Sequence, residues 1–296
     1  MKFLISTLSR LSLKQLYRLS DWVLYPLIYY VIRYRRSPAM TNLRLSFPEK
    51  TEKEIQALAK RFYHHFADIV AEIIWYYRAT DEEMNRHIHF VNVKEIEQMA
   101  DTHKGLLVML GHLGNWEWTT DVQRHYTLPG MQHYNVYRRL KNKGADTAML
   151  ELRCKHSGEG SCIEKNALLR QLIILRKAAL PFTLGLISDQ KVAPKNAYHK
   201  TMFLHQETTF LGGGEVLSKK FNWSVAYVHM RQVQRGEYEA RVDLITDDAP
   251  NTEKGYITEQ FARRLEQNIQ EQPELWLWTH NRWKWERLAQ QEHTNS

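Results

Sequence analysis

Apolar positions along the chain follow two periods. From Thr51 onward Ile55, Leu58, Phe62, Phe66, Ile69, Val70 and Ile73 recur three or four residues apart, predicting one long amphipathic helix that reaches about Tyr77. Thr51 and Glu54 have the spacing of a capping box at its start. From residue 88 the pattern shortens to apolar runs of strand length at 89–93, 106–110, 132–137 and 182–187. Between them lie a helix after Trp116, a helix through Leu150 and a further apolar run at 168–175. Residues 225–230 and 238–245, joined by the polar turn Arg235-Gly236, read as later strands, and a helix follows over 253–272. This alternation predicts an α/β fold, a single mixed-sheet domain with flanking helices. No internal repeat, low-complexity tract or linker divides it.

Residues 1–40 carry a different pattern. Leu4, Leu8, Leu11, Leu16 and Leu19 face away from Arg10, Lys14 and Arg18, as in a basic amphipathic helix. The following stretch from Trp22 to Ile32 is continuously apolar or aromatic and is closed by Arg33, Arg35 and Arg36. It is shorter than the roughly 20 residues of a membrane-spanning helix. The expectation is an N-terminal membrane anchor over 1–40, lying in the interface with a shallow hairpin-like insertion, ahead of a globular domain over 41–296. An ordinary packing helix stays open as the other reading. The segment also lacks the cleavage site of a secretory signal and is expected to be retained.

Composition narrows the partners without choosing one. The chain has 296 residues, 43% of them hydrophobic, which is ample for a packed core. A net charge of +8 favours an anionic partner: nucleic acid, an anionic membrane surface or an acidic protein. Nine Trp and fifteen Tyr tilt that choice toward a membrane interface. Cys154 and Cys162, in a polar stretch without metal-ligand spacing, speak against a disulfide scaffold or zinc site and fit a reducing cytoplasm.

The candidate chemistry starts where the run 106–110 ends in Gly111-His112-Leu113-Gly114-Asn115-Trp116-Glu117. A histidine and a carboxylate five residues apart lie about 140° apart on a continuous helix, so they meet only if His112 sits in a turn before the helix. The two glycines permit that turn, and Asn115 has the character of a helix cap. Of the fourteen histidines, His112 alone has this spacing to an acid. A histidine fixed by a carboxylate on one ring nitrogen presents the other as a general base. A buried, satisfied histidine in a capped turn explains the same residues.

Other constellations carry less. His64-His65-Phe66-Ala67-Asp68 is one residue short of an HHxxxD pattern and lies inside the long helix. A nucleophile elbow, Walker loop, HExxH and GxGxxG are all absent. Arg138, Arg139, Lys141 and Lys143 form a basic cluster after a strand, suited to phosphate or to plain solvation. Asp189 and Gln190 follow another strand, where α/β sites collect.

Taken together the chain resembles the bacterial lipid A biosynthesis acyltransferases, within the wider superfamily with an H-x4-D/E motif. The resemblance rests on five segments in order. They are Asn42-Leu43-Arg44-Leu45-Ser46-Phe47-Pro48-Glu49, the 111–117 turn, the stretch from Tyr137 to Asp146, Asp189-Gln190, and Pro273-Glu274-Leu275-Trp276-Leu277-Trp278-Thr279-His280-Asn281-Arg282-Trp283-Lys284. It implies transfer of a fatty acyl chain from acyl carrier protein to a hydroxyl of a lipid A precursor at the cytoplasmic face of the inner membrane, without cofactor, metal or nucleic acid. His112 would be the base and Glu117 the residue that orients it. Asn115, Arg138, Lys141, Asp189 and Gln190 would line the substrate site, Arg138 meeting phosphate or the developing oxyanion. Two departures, Arg139 in place of proline and the segment 202–216, leave acyl length and acceptor open, including a lysophospholipid or aminolipid acceptor. A non-catalytic basic protein of the membrane surface would explain the anchor but not the His-Glu turn.

Overall fold

A computed structural model describes residues 2–294. Its centre is a seven-stranded sheet in the order β1-β9-β8-β2-β5-β3-β4. The strands are β1 (Ile88–Phe90), β2 (Leu106–Leu110), β3 (Gln132–Tyr137), β4 (Cys162–Glu164), β5 (Phe182–Ile187), β8 (Ser224–Gln234) and β9 (Glu237–Thr246). Two more, β6 (His199–Phe203) and β7 (Gln206–Phe210), form a separate antiparallel hairpin. All the pairings of the main sheet are parallel except that of β8 with β9. The mixed sheet expected from the pattern is therefore present. β2 is buried along its whole length, as a central strand covered on both faces must be.

The long helix runs over Glu52–Tyr76 and begins with the expected reciprocal Thr51 and Glu54 cap. Its apolar stripe, Ile55, Leu58, Phe62 and Ile69, enters the core. The run at 168–175 belongs to a helix, Leu168–Ala178, in which only Leu172 is buried. Three connecting helices, 116–125, 143–153 and 256–271, lie where the pattern placed helices; the first is 3₁₀.

The N-terminal segment departs from a single amphipathic helix. It forms two, Lys2–Leu8 and Leu13–Leu19, because Ser12 and Gln15 make a capping box that starts the second. Two π-helical turns follow, Ser20–Leu24 and Leu27–Val31. Leu13, Leu16 and Tyr29 are buried, while Arg10, Lys14 and Arg18 face solvent as expected. The side chain of Leu4 lies outside the described ones. Trp22 is 82% exposed and Ile32 59%, with Val23, Leu27, Tyr30 and Val31 exposed beside them. Among the described residues no helix is long and apolar enough to cross a membrane.

Candidate active site

Register brings the site together. β2 and β5 are parallel neighbours and Leu110 pairs with Ile187, so both chains leave the sheet at one level. Two residues beyond each strand stand His112 and Asp189. Gly111 is needed between Leu110 and His112, since a Cβ there would come 2.6 Å from Leu265 Cδ1. The crevice beyond the carboxyl ends of parallel strands is where α/β proteins place their sites.

Asp189 grips His112 with both oxygens. The imidazole Nδ1–H donates to Oδ1 at 2.7 Å, and the backbone N–H of His112 donates to Oδ2 at 2.8 Å. Trp276 Nε1–H completes the grip, donating to Oδ2 at 2.8 Å. A carboxylate on Nδ1 fixes the tautomer and leaves Nε2 with its lone pair free. Among the described residues the one hydrogen bond given for the imidazole is that of Nδ1 to Asp189, and the side chain is 13% exposed. Burial alone lowers the pKa of His112, but the charge and hydrogen bond of Asp189, with a smaller push from Glu117, outweigh it and leave the imidazole more basic than usual. Burial opposes ionisation of Asp189 as well; His112, by charge and hydrogen bonds, overcomes it and holds the carboxyl well below the ordinary range.

Glu117 does not make the expected hydrogen bond to His112. After Asn115 the chain winds as a 3₁₀ helix, Trp116–His125, and carries the Glu117 side chain inward. There Arg153, at the end of helix Lys143–Arg153, clamps it in a fork, Nε at 2.7 Å from Oε2 and Nη2 at 2.5 Å from Oε1. The link to His112 passes through Trp116, whose indole stands edge-on to the imidazole at 5.0 Å and donates to Glu117 Oε1 at 3.1 Å. Asn115 stands at the expected N-cap position of that helix, but its side chain makes no capping hydrogen bond. It is fully buried, and its Nδ2 donates to Glu72 Oε2 at 2.9 Å.

Arg138, Lys141 and Gln190 are exposed. β3 is parallel to β5 and ends at Tyr137, so Arg138 to Lys141 leave the sheet on the same carboxyl edge as His112. Arg139 is engaged with Glu164 at 2.9 Å, whereas no ion pair of Arg138 or Lys141 occurs among the described residues.

Arg153 and Glu72 escape a reading of the sequence, and Trp276 and His280 were legible only as part of the terminal motif. Burial lowers the pKa of His280 to about 4, and it lies near enough to Asp189 and His112 to feel both charges. The tail pattern from Trp276 to His280 was visible as a motif, but not its place as a wall of the site. Its backbone pairs with the turn, Gly114 N–H donating to Leu275 O at 3.1 Å and Leu277 N–H to His112 O at 3.1 Å.

The HHxxxD-like run has no place here. His65 is buried, with its pKa lowered to about 4 by burial. Asp21, His64 and Asp68 stand close enough to share a cation, yet Arg235 already occupies both carboxylates, at 2.6 Å from each. The arrangement at His112 suits one chemistry above others: accepting a proton from a hydroxyl brought to Nε2 beside an exposed basic edge. A family model described as bacterial lipid A biosynthesis acyltransferase matches residues 20–285. No match is found among curated proteins.

Proposed function

Because the chain belongs to the bacterial lipid A biosynthesis acyltransferases and is an acyltransferase enzyme, we propose that it moves a fatty acyl chain from an acyl carrier protein thioester to a hydroxyl of a lipid A precursor. The observation that supports this reading is the Asp189-held imidazole with its free Nε2 at the carboxyl edge of the sheet.

In this mechanism His112 Nε2 removes the hydroxyl proton as the oxygen attacks the thioester carbonyl. The carbon–sulfur bond breaks, and the imidazolium returns its proton to the departing thiolate. Asp189 holds the tautomer and stabilises the imidazolium; Glu117 adds negative potential from behind Trp116 while tied to Arg153. Arg138 and Lys141, exposed and without an ion pair among the described residues, meet the phosphate of the acceptor or the acidic carrier protein, and Gln190 flanks the entrance. Asn115, being buried, supports the turn. The route uses no cofactor, metal or enzyme nucleophile.

The N-terminal segment supplies the membrane contact in this reading. Exposed Trp22, Leu27, Val31 and Ile32 lie beside exposed Arg33 and Arg35, a pairing of apolar and basic groups suited to the anionic cytoplasmic face of the bacterial inner membrane. Acyl carrier protein charged with a labelled acyl chain, incubated with a lipid A precursor in detergent, tests the substrates. Labelled lipid A product supports the reading, whereas labelling only of a lysophospholipid or aminolipid offered in its place overturns the acceptor and keeps the reaction class.

A further inference from the structure

Glu72, on the long helix, is fully buried and receives hydrogen bonds from three parts of the chain. Tyr17 OH donates to Oε1 at 2.6 Å, Tyr238 OH to Oε2 at 3.0 Å and Asn115 Nδ2 to Oε2 at 2.9 Å. Tyr17 belongs to the N-terminal segment and Asn115 to the turn that carries His112, three residues away. One carboxylate thus holds the proposed membrane-facing segment and the proposed catalytic turn.

The surroundings make both attachments tight. The Tyr17 hydroxyl sits against Gly236, where a Cβ would lie 2.1 Å from it, and Arg235 stacks over the Tyr17 ring at 4.3 Å. One turn earlier on the helix, Asp68 accepts from Ser20 Oγ at 2.7 Å and from Arg235 Nε at 2.8 Å, pinning the same segment. On the other side Gly114, with φ of +54°, packs on the Tyr238 ring, which a Cβ would approach to 3.1 Å. Asn115 Oδ1 has no partner among the described residues, so its Nδ2 bond to Glu72 is the one hydrogen bond orienting that amide.

We propose that Glu72 is a positioning residue that couples the seating of the N-terminal segment, through Tyr17, to the alignment of the turn bearing His112, through Asn115. The proposal rests on the reading of His112 as the base. Packed and hydrogen-bonded groups that meet at one buried carboxylate form a contiguous route between the two ends, and coupling along it is measured by changing one end and reading the other.

Tyr17→Phe removes one hydroxyl far in sequence from the turn and tests this directly. In protein labelled with 15N-histidine, the His112 ring resonances are expected to shift, amide exchange at residues 114–116 to quicken, and kcat to fall about three- to ten-fold with KM for the donor unchanged, the loss a hydrogen bond of coupling carries. Glu72→Gln is expected to keep near wild-type behaviour, because its carbonyl accepts from the tyrosines and its amide donates to Asn115 Oδ1 once the Asn115 amide turns over to present that oxygen in place of Nδ2. Glu72→Leu, which also removes the hydrogen bond of Asn115, is expected to lose at least as much as Tyr17→Phe, with no further loss when the two are combined. Should Glu72→Leu fail to fold, Tyr17→Phe and Glu72→Gln still decide. A folded Tyr17→Phe protein with unchanged His112 resonances and unchanged exchange overturns the coupling. Shifted resonances in a protein whose wild type transfers no acyl group leave the coupling standing and overturn the proposed reaction instead.

Discussion

Asp189 binds His112 twice, at the ring through Oδ1 and at the backbone through Oδ2, so one carboxylate sets both the tautomer of the imidazole and the path of the turn that carries it. The pair differs from a surface ion pair in that Asp189 is 3% exposed and its second oxygen also takes the Trp276 indole N–H. Loss of the charge therefore reaches chemistry and fold together.

Asp189→Asn keeps the size of the side chain and removes the charge. General-base catalysis by His112 is expected to lose about 10²–10⁴-fold in kcat. The pH profile carries the sign. Asp189 raises the pKa of His112, and a base must be neutral, so the acidic limb of wild-type kcat/KM is expected above the ordinary histidine value. In Asp189→Asn that limb moves to lower pH; a limb that stays in place assigns it to another group.

Buried Glu117 and half-buried Arg153 form a fork, and each alone leaves the other uncompensated. Glu117→Ala is expected to cost about 3–5 kcal/mol of stability, and Glu117→Ala with Arg153→Ala together less than the sum of the two singles. Urea denaturation of the four proteins measures the cycle. Additive losses would show that the pair is worth little, whatever its geometry.

Burial raises the pKa of Glu72 to about 7, against hydrogen bonds from Tyr17, Asn115 and Tyr238 and with Asp68 adding to the rise. A raised pKa means that the associated stability is complete below the unfolded value of about 4.3 and is lost as pH climbs through the folded one. Wild type should thus lose stability relative to Glu72→Gln between about pH 4 and pH 7, with Arg235 and Asp68 unchanged in both. Melting temperatures taken across that range check it, and a constant difference contradicts it.

Trp22 and Ile32 project from the N-terminal segment with little packing to lose. Replacing each by serine should weaken binding to anionic vesicles by about ten-fold and leave folding stability within about 0.5 kcal/mol of wild type. Vesicle sedimentation and thermal melting separate the two effects. Unchanged binding would remove this surface from the membrane contact.

Much of the framework was legible because short-range periodicity decides it. β2, β3, β5 and the helix from Glu52 follow from apolar spacing and a capping box, and the turn at His112 from two glycines. What escaped depends on contacts distant in sequence. Asp189 lies 77 residues from His112, and only the parallel register of β2 with β5 brings them together. Glu117, near in sequence, looked like the partner because spacing was the only measure of proximity. The helix at 168–178 was ambiguous for another reason: an apolar run of that length suits strand or helix. The hairpin of β6 and β7 went unseen because its alternation of charged, polar and apolar residues is irregular. Glu72 gave no signal at all, since a lone glutamate in an amphipathic helix looks like a solvated one until tertiary packing buries it.

The most direct test of the account compares wild type with His112→Ala in transfer of labelled acyl groups from acyl carrier protein to a lipid A precursor, both proteins shown folded by melting. The account predicts product with wild type and a loss of about 10²-fold or more in kcat with His112→Ala. Full activity in the folded His112→Ala protein would contradict it.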